Sequence, residues 1–386
     1  MTTAIVTGFT AHGPLMRASF APLIGLRREG VLDRILYLTW DSAEIDAYVA
    51  PAAEWPEVET IRLPEPEATG HGFQKGFIYQ SRALAEALMK VGKPDEPVLK
   101  LRPDFLAGKS FLARKIATFG SWSAHPDFSS YVPQAMPRSP FKARIWVPWA
   151  NANWPLYLED TAFMGRADDL MQLADPLADR LAMRCGSFES ISITHVLRFI
   201  VPFLKDFPIF DRFLQRYDLC LMDEAFRTKM MGFALENAFF WHLVIANAWI
   251  LATSFHVDSG EQGELRFVCS HDARKYRDRA VGDIPDNVLY RNIEGWRRTH
   301  VPGTMLPVLL QWCARLVSDD WQSALFSGPL EQSCTPEMFF NILRNLCLYK
   351  SGILDAEEQA YYDRLAKLCG DYLKQRKAGA HPPNGP

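Results

Sequence analysis

Apolar and charged residues alternate through residues 98–106, VLKLRPDFL. On an extended chain Leu99, Leu101, Pro103 and Phe105 would face one way, and Lys100, Arg102 and Asp104 the other. Short β-rich runs recur at 4–7, 34–39 and 58–63, and again in ARIWVPW at 143–149 and YLEDTAFMG at 157–165. Between them, Phe77, Leu84, Leu88 and Val91 repeat at helical spacing, and Gly92 and Pro94 end that helix. Strands alternating with helical patterns predict α/β layering around a mainly parallel sheet. The Ser- and Pro-rich stretch 120–142 reads as a long loop that could act as a flap. Beyond about 175 the spacing turns helical, with helices expected over 191–204, 223–253, 289–298, 305–317, 336–349 and 356–375. Three units follow: a sheet domain over 1–175, a mostly helical region over 176–378, and a polar, disordered tail over 379–386.

Composition narrows the classes. At 386 residues and 48% hydrophobic, the chain can bury a large core. Forty-two Lys plus Arg against 45 Asp plus Glu leave no basic field to recruit nucleic acid. Seven cysteines without C-x-x-C spacing read as reduced thiols, which points to a cytoplasmic protein. The first residues, MTTAIVTGFTAHG, show neither the basic nor the apolar part of an export signal. The most apolar stretch, 238–253, is short for a bilayer and carries His242 and Asn247. A buried helix is expected there, with peripheral docking on the inner membrane left open.

The candidate chemistry starts from Asp104. A carboxylate at the C-terminal end of a parallel strand lies at the crevice where open α/β sheets bind ligands. Lys100 and Arg102 behind it could neutralise a diphosphate, and Asp104 could hold a divalent cation, Mn or Mg, bridging the phosphates. The pattern equally allows a solvated edge strand blunted by Pro103. Thr7 and Gly8 close the first strand, where a base or ribose could meet the sheet, or where a plain turn could lie. Asp41 and Ser42 could hydrogen-bond a nucleoside or cap a helix starting near 44. Trp149 and Trp154, in the polar loop WANANWP, are candidate sugar platforms.

Four segments occur in a telling order: VTGF at 6–9, LYLTWDS at 36–42, KLRPD at 100–104 and DTAFMG at 160–165. In order and spacing they resemble the WavE-type glycosyltransferases of lipopolysaccharide synthesis, over about residues 4–175, with SFESIS at 187–192 as a faint continuation. The helix before KLRPD departs from the family: Gln80 matches, but Tyr79 stands where an arginine is expected. The resemblance implies a GT-A-like nucleotide-sugar-binding sheet domain that transfers a sugar to a bacterial surface glycan of lipopolysaccharide or capsule type. The expected partners are a nucleotide-sugar donor and a glycan or glycolipid acceptor. Donor contacts would come from Thr7, Gly8, Asp41, Gln80, Lys100, Arg102 and Asp104, and acceptor contacts from Trp149, Trp154 and Glu189. Asp160, or its neighbour Glu159, would be the general base; on one strand the two would point to opposite faces. Asp160 could instead cap a helix starting near Arg166.

The competing class is a non-catalytic glycan- or nucleotide-binding protein on the same fold. Other chemistries lack their motifs. GFTAHG at 8–13 misses the middle glycine of a dinucleotide fingerprint, and TGHGFQKG at 69–76 lacks P-loop spacing and reads as a loop entering the helix at Phe77. HVD at 256–258 and HD at 271–272 come without a zinc-hydrolase or serine-hydrolase motif. The basic run 270–279 reads as a solvated helix face, with a lipid or glycan contact as its alternative.

Overall fold

The computed structural model describes residues 1–8, 13–41, 54–65, 73–125, 138–148, 150–151, 157–158, 160–184, 197–207, 253–257 and 265–267, plus isolated positions between 210 and 283. Thr3–Thr7, buried at all five positions, forms the central strand β1. Helix α1 (Gly13–Arg28) leads to β2 (Arg34–Asp41) and β3 (Val58–Pro64), and helix α2 (Phe73–Met89) to β4 (Pro97–Leu101). The short β5 (Phe105–Ala107) precedes α3 (Lys109–Ala117) and α4 (Phe119–Trp122). Then come β6 (Ile145–Val147), β7 (Ala150–Asn151), β8 (Tyr157–Leu158), β9 (Ala162–Arg166), α5 (Ala167–Leu173) and α6 (Pro176–Arg184). A single 3₁₀ turn at Val201–Phe203 and strands β10 (Phe255–Val257) and β11 (Leu265–Phe267) complete the described elements.

Seven strands form one sheet in the order β10-β6-β9-β4-β1-β2-β3. β1 pairs in parallel with β2 on one side and β4 on the other, with Ile5 opposite both Leu36 and Lys100. β9 runs antiparallel between β4 and β6, while β1–β2, β1–β4, β2–β3 and β10–β6 are parallel, so the sheet is mainly parallel with one antiparallel strand inserted. The parallel order reverses between β1 and β4, which leaves a crevice at the C-terminal ends of those two strands.

Both faces of the sheet are covered. Tyr37 and Trp40 lie three residues apart on β2 and therefore face opposite ways. Phe20 of α1 meets Tyr37 edge-on at 5.3 Å, while Tyr79 of α2 meets Trp40 at 5.0 Å. Fully buried Phe20, Leu36, Leu84, Leu99 and Phe163 line the two resulting interfaces, each such side chain contributing about 1.5–3 kcal/mol of transfer free energy. Close approach decides one small residue: a Cβ on Gly165 of β9 would lie 3.0 Å from Leu170 and 3.2 Å from Ile145.

Several expectations are corrected by tertiary context. The edge-strand alternative for 98–106 fails, because β4 has neighbours on both sides and Lys100 is wholly buried. Nor is that stretch one strand: the ladder stops at Leu101, and Phe105 restarts in a separate two-stranded sheet with Phe267 of β11. Residues 157–165 divide into β8 and β9 with Asp160 between them, so strand alternation does not govern Asp160. Helix α2 begins at Phe73, four residues earlier than the apolar spacing places it, so half of TGHGFQKG is helical. Residues 143–149 supply only three strand residues. The helices expected beyond 207 and the tail lie almost entirely outside the described residues, as do Ser42, residues 69–72 and residues 270–279. Among the described residues no helix is long and apolar enough to cross a membrane.

Candidate functional site

The end of β1 is shaped by Gly8. Its φ of +98° lies where a side chain is strained, and its N–H donates to the Leu38 carbonyl at 3.2 Å. A Cβ there would approach Pro103 to 4.0 Å, so the ends of β1 and β4 are in contact. Thr7, just before it, is fully buried, and its hydroxyl has no hydrogen-bond partner among the described residues.

The end of β4 is a tight turn. The Arg102 N–H donates to the Thr161 carbonyl at 2.8 Å, and the Phe105 N–H donates back to the Arg102 carbonyl at 3.1 Å. Pro103 suits the second position of such a turn because its φ is preset, and its missing N–H ends the ladder. The turn bends Asp104 back onto Arg102. Nε donates to Oδ1 at 3.0 Å and Nη2 to Oδ2 at 2.5 Å, a two-point pair in which Asp104 is buried while Arg102 keeps 19% of its side chain exposed. The guanidinium plane is thereby fixed at the mouth of the crevice.

Lys100 takes another place. Its ammonium donates to the backbone carbonyl of Asp160 and lies 4.8 Å from the centre of the Phe163 ring. Asp160, also buried, directs its carboxylate at Arg198, Nη1 to Oδ2 at 3.8 Å. Arg198 has no exposed surface and lies over the Phe77 ring at 4.9 Å. Neither its Nε nor either Nη makes a hydrogen bond among the described residues. Burial lowers its pKa, opposed by the charges of Asp160 and Asp179 and reinforced by that of Arg102. Asp160 does not cap a helix: α5 begins at Ala167, with Arg166 at the cap position and no side-chain cap bond.

The remaining expected residues divide. Gln80 lies on α2 with its Oε1 buried and without a hydrogen-bond partner among the described residues. Asp41 ends β2 as an exposed carboxylate 3.6 Å from Arg62. Glu159, Trp149, Trp154 and Glu189 lie outside the described residues. The structure thus brings Thr7, Gly8, Lys100, Arg102, Asp104 and Asp160 around the joined ends of β1, β4 and β9. It adds Arg198, which sequence reasoning missed; its one signal is a lone cation inside the apolar run HVLRFIVPF.

A divalent cation at Asp104 finds little support in the donor set. The Arg102 fork takes both carboxylate oxygens, and among the described residues no three His, Cys, Asp or Glu side chains converge. The charge at this turn is balanced by arginine, and the donor set among the described residues does not by itself make a metal centre.

No protein-family model and no curated protein sequence matches the chain. Among solved structures it is similar to the galactosyltransferase LgtC in complex with donor and acceptor sugar analogues, with TM-score 0.34, 10% identity, and 52% of this chain and 70% of that one covered. It is similar to mouse xyloside xylosyltransferase 1, with TM-score 0.29, 12% identity, and 54% and 83% covered. It is also similar to S. aureus TarS 1-349, with TM-score 0.30, 9% identity, and 98% and 92% covered.

Proposed function

We propose that this chain is a glycosyltransferase with a GT-A-like sheet domain that moves a sugar from a nucleotide-sugar donor to a bacterial surface glycan of lipopolysaccharide or capsule type. The observation that carries the reading is the Arg102–Asp104 turn at the C-terminal end of β4, pressed against Gly8 of β1 where the strand order reverses. The acceptor type rests on the WavE-like order of the four segments.

The chemistry follows from charge. A departing nucleoside diphosphate gains negative charge as the glycosidic bond breaks, so a cation held in place stabilises the transition state more than the ground state. Arg102 suits that role because Asp104 has already fixed its plane, so little reorganisation accompanies binding. Gly8, without a Cβ, lets a base or ribose approach the backbone, with Thr7 and Gln80 supplying polar atoms beside it. Asp160 takes the acceptor proton in this reading.

One observation favours the competing reading of a non-catalytic nucleotide- or glycan-binding protein. Asp160 is paired with Arg198, and a carboxylate held by a buried guanidinium is a weak base. Turnover separates the two readings, since the binder would take up donor without hydrolysing or transferring its sugar.

The first test is a thermal-shift screen against UDP-, GDP-, CMP- and dTDP-sugars, with and without Mg²⁺ or Mn²⁺, on the wild type and Asp104→Asn. A ligand at a hundred times its Kd adds about 2.7 kcal/mol to stability. One nucleotide class should shift the wild type with little dependence on metal, and the shift should vanish in Asp104→Asn. No shift with any donor overturns the reading.

A further inference from the structure

Arg198 stands apart from every other cation of the site. Arg102 satisfies its charge through two hydrogen bonds to Asp104, and Lys100 through the Asp160 carbonyl. Arg198 is more deeply buried than Arg102, yet its Nε, Nη1 and Nη2 all lack hydrogen bonds among the described residues. Its contacts are a 3.8 Å ion pair to one Asp160 oxygen and the face of Phe77.

A desolvated guanidinium in that state is costly, and a long ion pair to one oxygen does not offset the loss of hydration. Buried polar groups without partners are rare in folded proteins, and an ion or ligand that supplies the bonds is one of the few ways to satisfy a whole guanidinium. The surroundings indicate the sign and size of that ligand. Arg102 and Arg198 both adjoin the 160–161 segment, the first through the Thr161 carbonyl and the second through the Asp160 carboxylate, so two positive charges meet at one short stretch of chain, where an anion would ease their repulsion. Arg102 and Asp179, both charged neighbours of Arg198, retain 19% and 15% of their side-chain exposure, so solvent reaches the edge of the cluster. The three nitrogens of the Arg198 fork, beside an Arg102 already held by Asp104, suit a group with several anionic oxygens.

We infer that Arg198 is the second guanidinium of a diphosphate-binding site, with Asp160 holding it until the anion arrives. This rests on the nucleotide-sugar reading and adds to it a residue that none of the four motif segments contains. When the diphosphate binds, the Arg198 fork moves onto its oxygens and the Asp160 carboxylate is released. The diphosphate could belong to a nucleotide or be free pyrophosphate, and the two are told apart by titration.

The experiment is calorimetric titration of the full chain with inorganic pyrophosphate, UDP and GDP, for wild type, Arg198→Lys, and the double variant Arg198→Met with Asp160→Asn. Lysine keeps the charge but loses the fork, so Arg198→Lys should weaken binding at least tenfold. The double variant removes both partners of the Arg198–Asp160 ion pair together, so neither charge of that pair is left buried without the other. It also removes a carboxylate that would repel the anion, yet it too should bind at least tenfold more weakly. Tighter binding of a nucleoside diphosphate than of pyrophosphate assigns the anion to a nucleotide; equal binding assigns it to the diphosphate alone, and either supports the inference. Wild-type affinity in either variant overturns it, leaving Arg198 as a structural counter-ion while the donor reading stands. A wild type that binds none of the three probes overturns the inference, and the donor reading is then decided by the thermal-shift screen, whose CMP- and dTDP-sugars lie outside these probes.

Discussion

Pro103 shows how much one residue settles. It removes the N–H that would have continued β4 and presets the turn that folds Asp104 back onto Arg102. Without that turn the two charges would sit on one side of a strand as neighbours, not as a locked pair. Gly8 matters for a different reason. Its φ of +98° is strained for an L side chain, while the space around it is ordinary, with the nearest contact of a Cβ at 4.0 Å. Gly8→Ala should therefore lose about 1–2 kcal/mol to backbone strain alone. Chemical denaturation measures it, and an unchanged midpoint would mean the loop relaxes at no cost. KLRPD was legible as a charged unit in sequence, because alternation is local. That Lys100 turns inward to the Asp160 carbonyl was not, because the acceptor comes from the other side of the β4–β9 pair.

Among the elements, the join between α5 and the segment before β6 is the clearest case of a carboxylate organising backbone. Asp169 is 1% exposed and accepts the N–H groups of Lys142 at 2.8 Å and Ala143 at 3.0 Å. Burial pushes its carboxyl pKa up, against the pull of those two bonds. In Asp169→Asn, the amide nitrogen would face one of the two backbone donors and leave it without an acceptor. A loss of about 1–3 kcal/mol is expected, with hydrogen exchange of the Lys142 and Ala143 amides at least tenfold faster. Unaltered exchange would show that the segment is held by its apolar contacts. Helix α1 passed unnoticed in the periodicity, although Leu15, Met16, Phe20, Leu23 and Ile24 all bury. Pro22 in the same stretch argues against a helix by propensity, and packing on β2 and β5 overrides that preference, while Pro14 falls in the first turn, where proline is tolerated.

For the molecule as a whole, stability against pH tests a buried charge away from the crevice. Lys115 of α3 lies under Phe111 and Trp146 with its ammonium 3.5 Å from Nε2 of His256 on β10. Burial first, then the charge of Arg114, lower its pKa from 10.5 to about 8. Below pH 8 both folded and unfolded chains carry the proton, and the folded state bears the full desolvation penalty. Between about 8 and 10.5 the unfolded chain binds more protons, so this group makes stability rise with pH. Lys115→Met keeps the apolar stem and removes the charge. It should be more stable than wild type at pH 7, with the difference shrinking to nothing by pH 10.5. Urea denaturation at both values measures this, and a constant difference would mean the ammonium is solvated in the folded state.

By itself the sequence determined the α/β class, the positions of β1 to β4, the helix between β3 and β4, and the segments that border the crevice. Each of these follows from the spacing of apolar residues or from turn chemistry over a few positions, which neighbours in the chain decide. The antiparallel insertion of β9, the burial of Lys100, the pairing of Asp160 with Arg198 and the closeness of Gly8 to Pro103 depended on the assembled sheet. They join residues far apart in sequence, and periodicity carries no information about which distant strand or helix end will meet which. Only close packing on both faces of β4 brings the two arginines and two aspartates to the same strand ends.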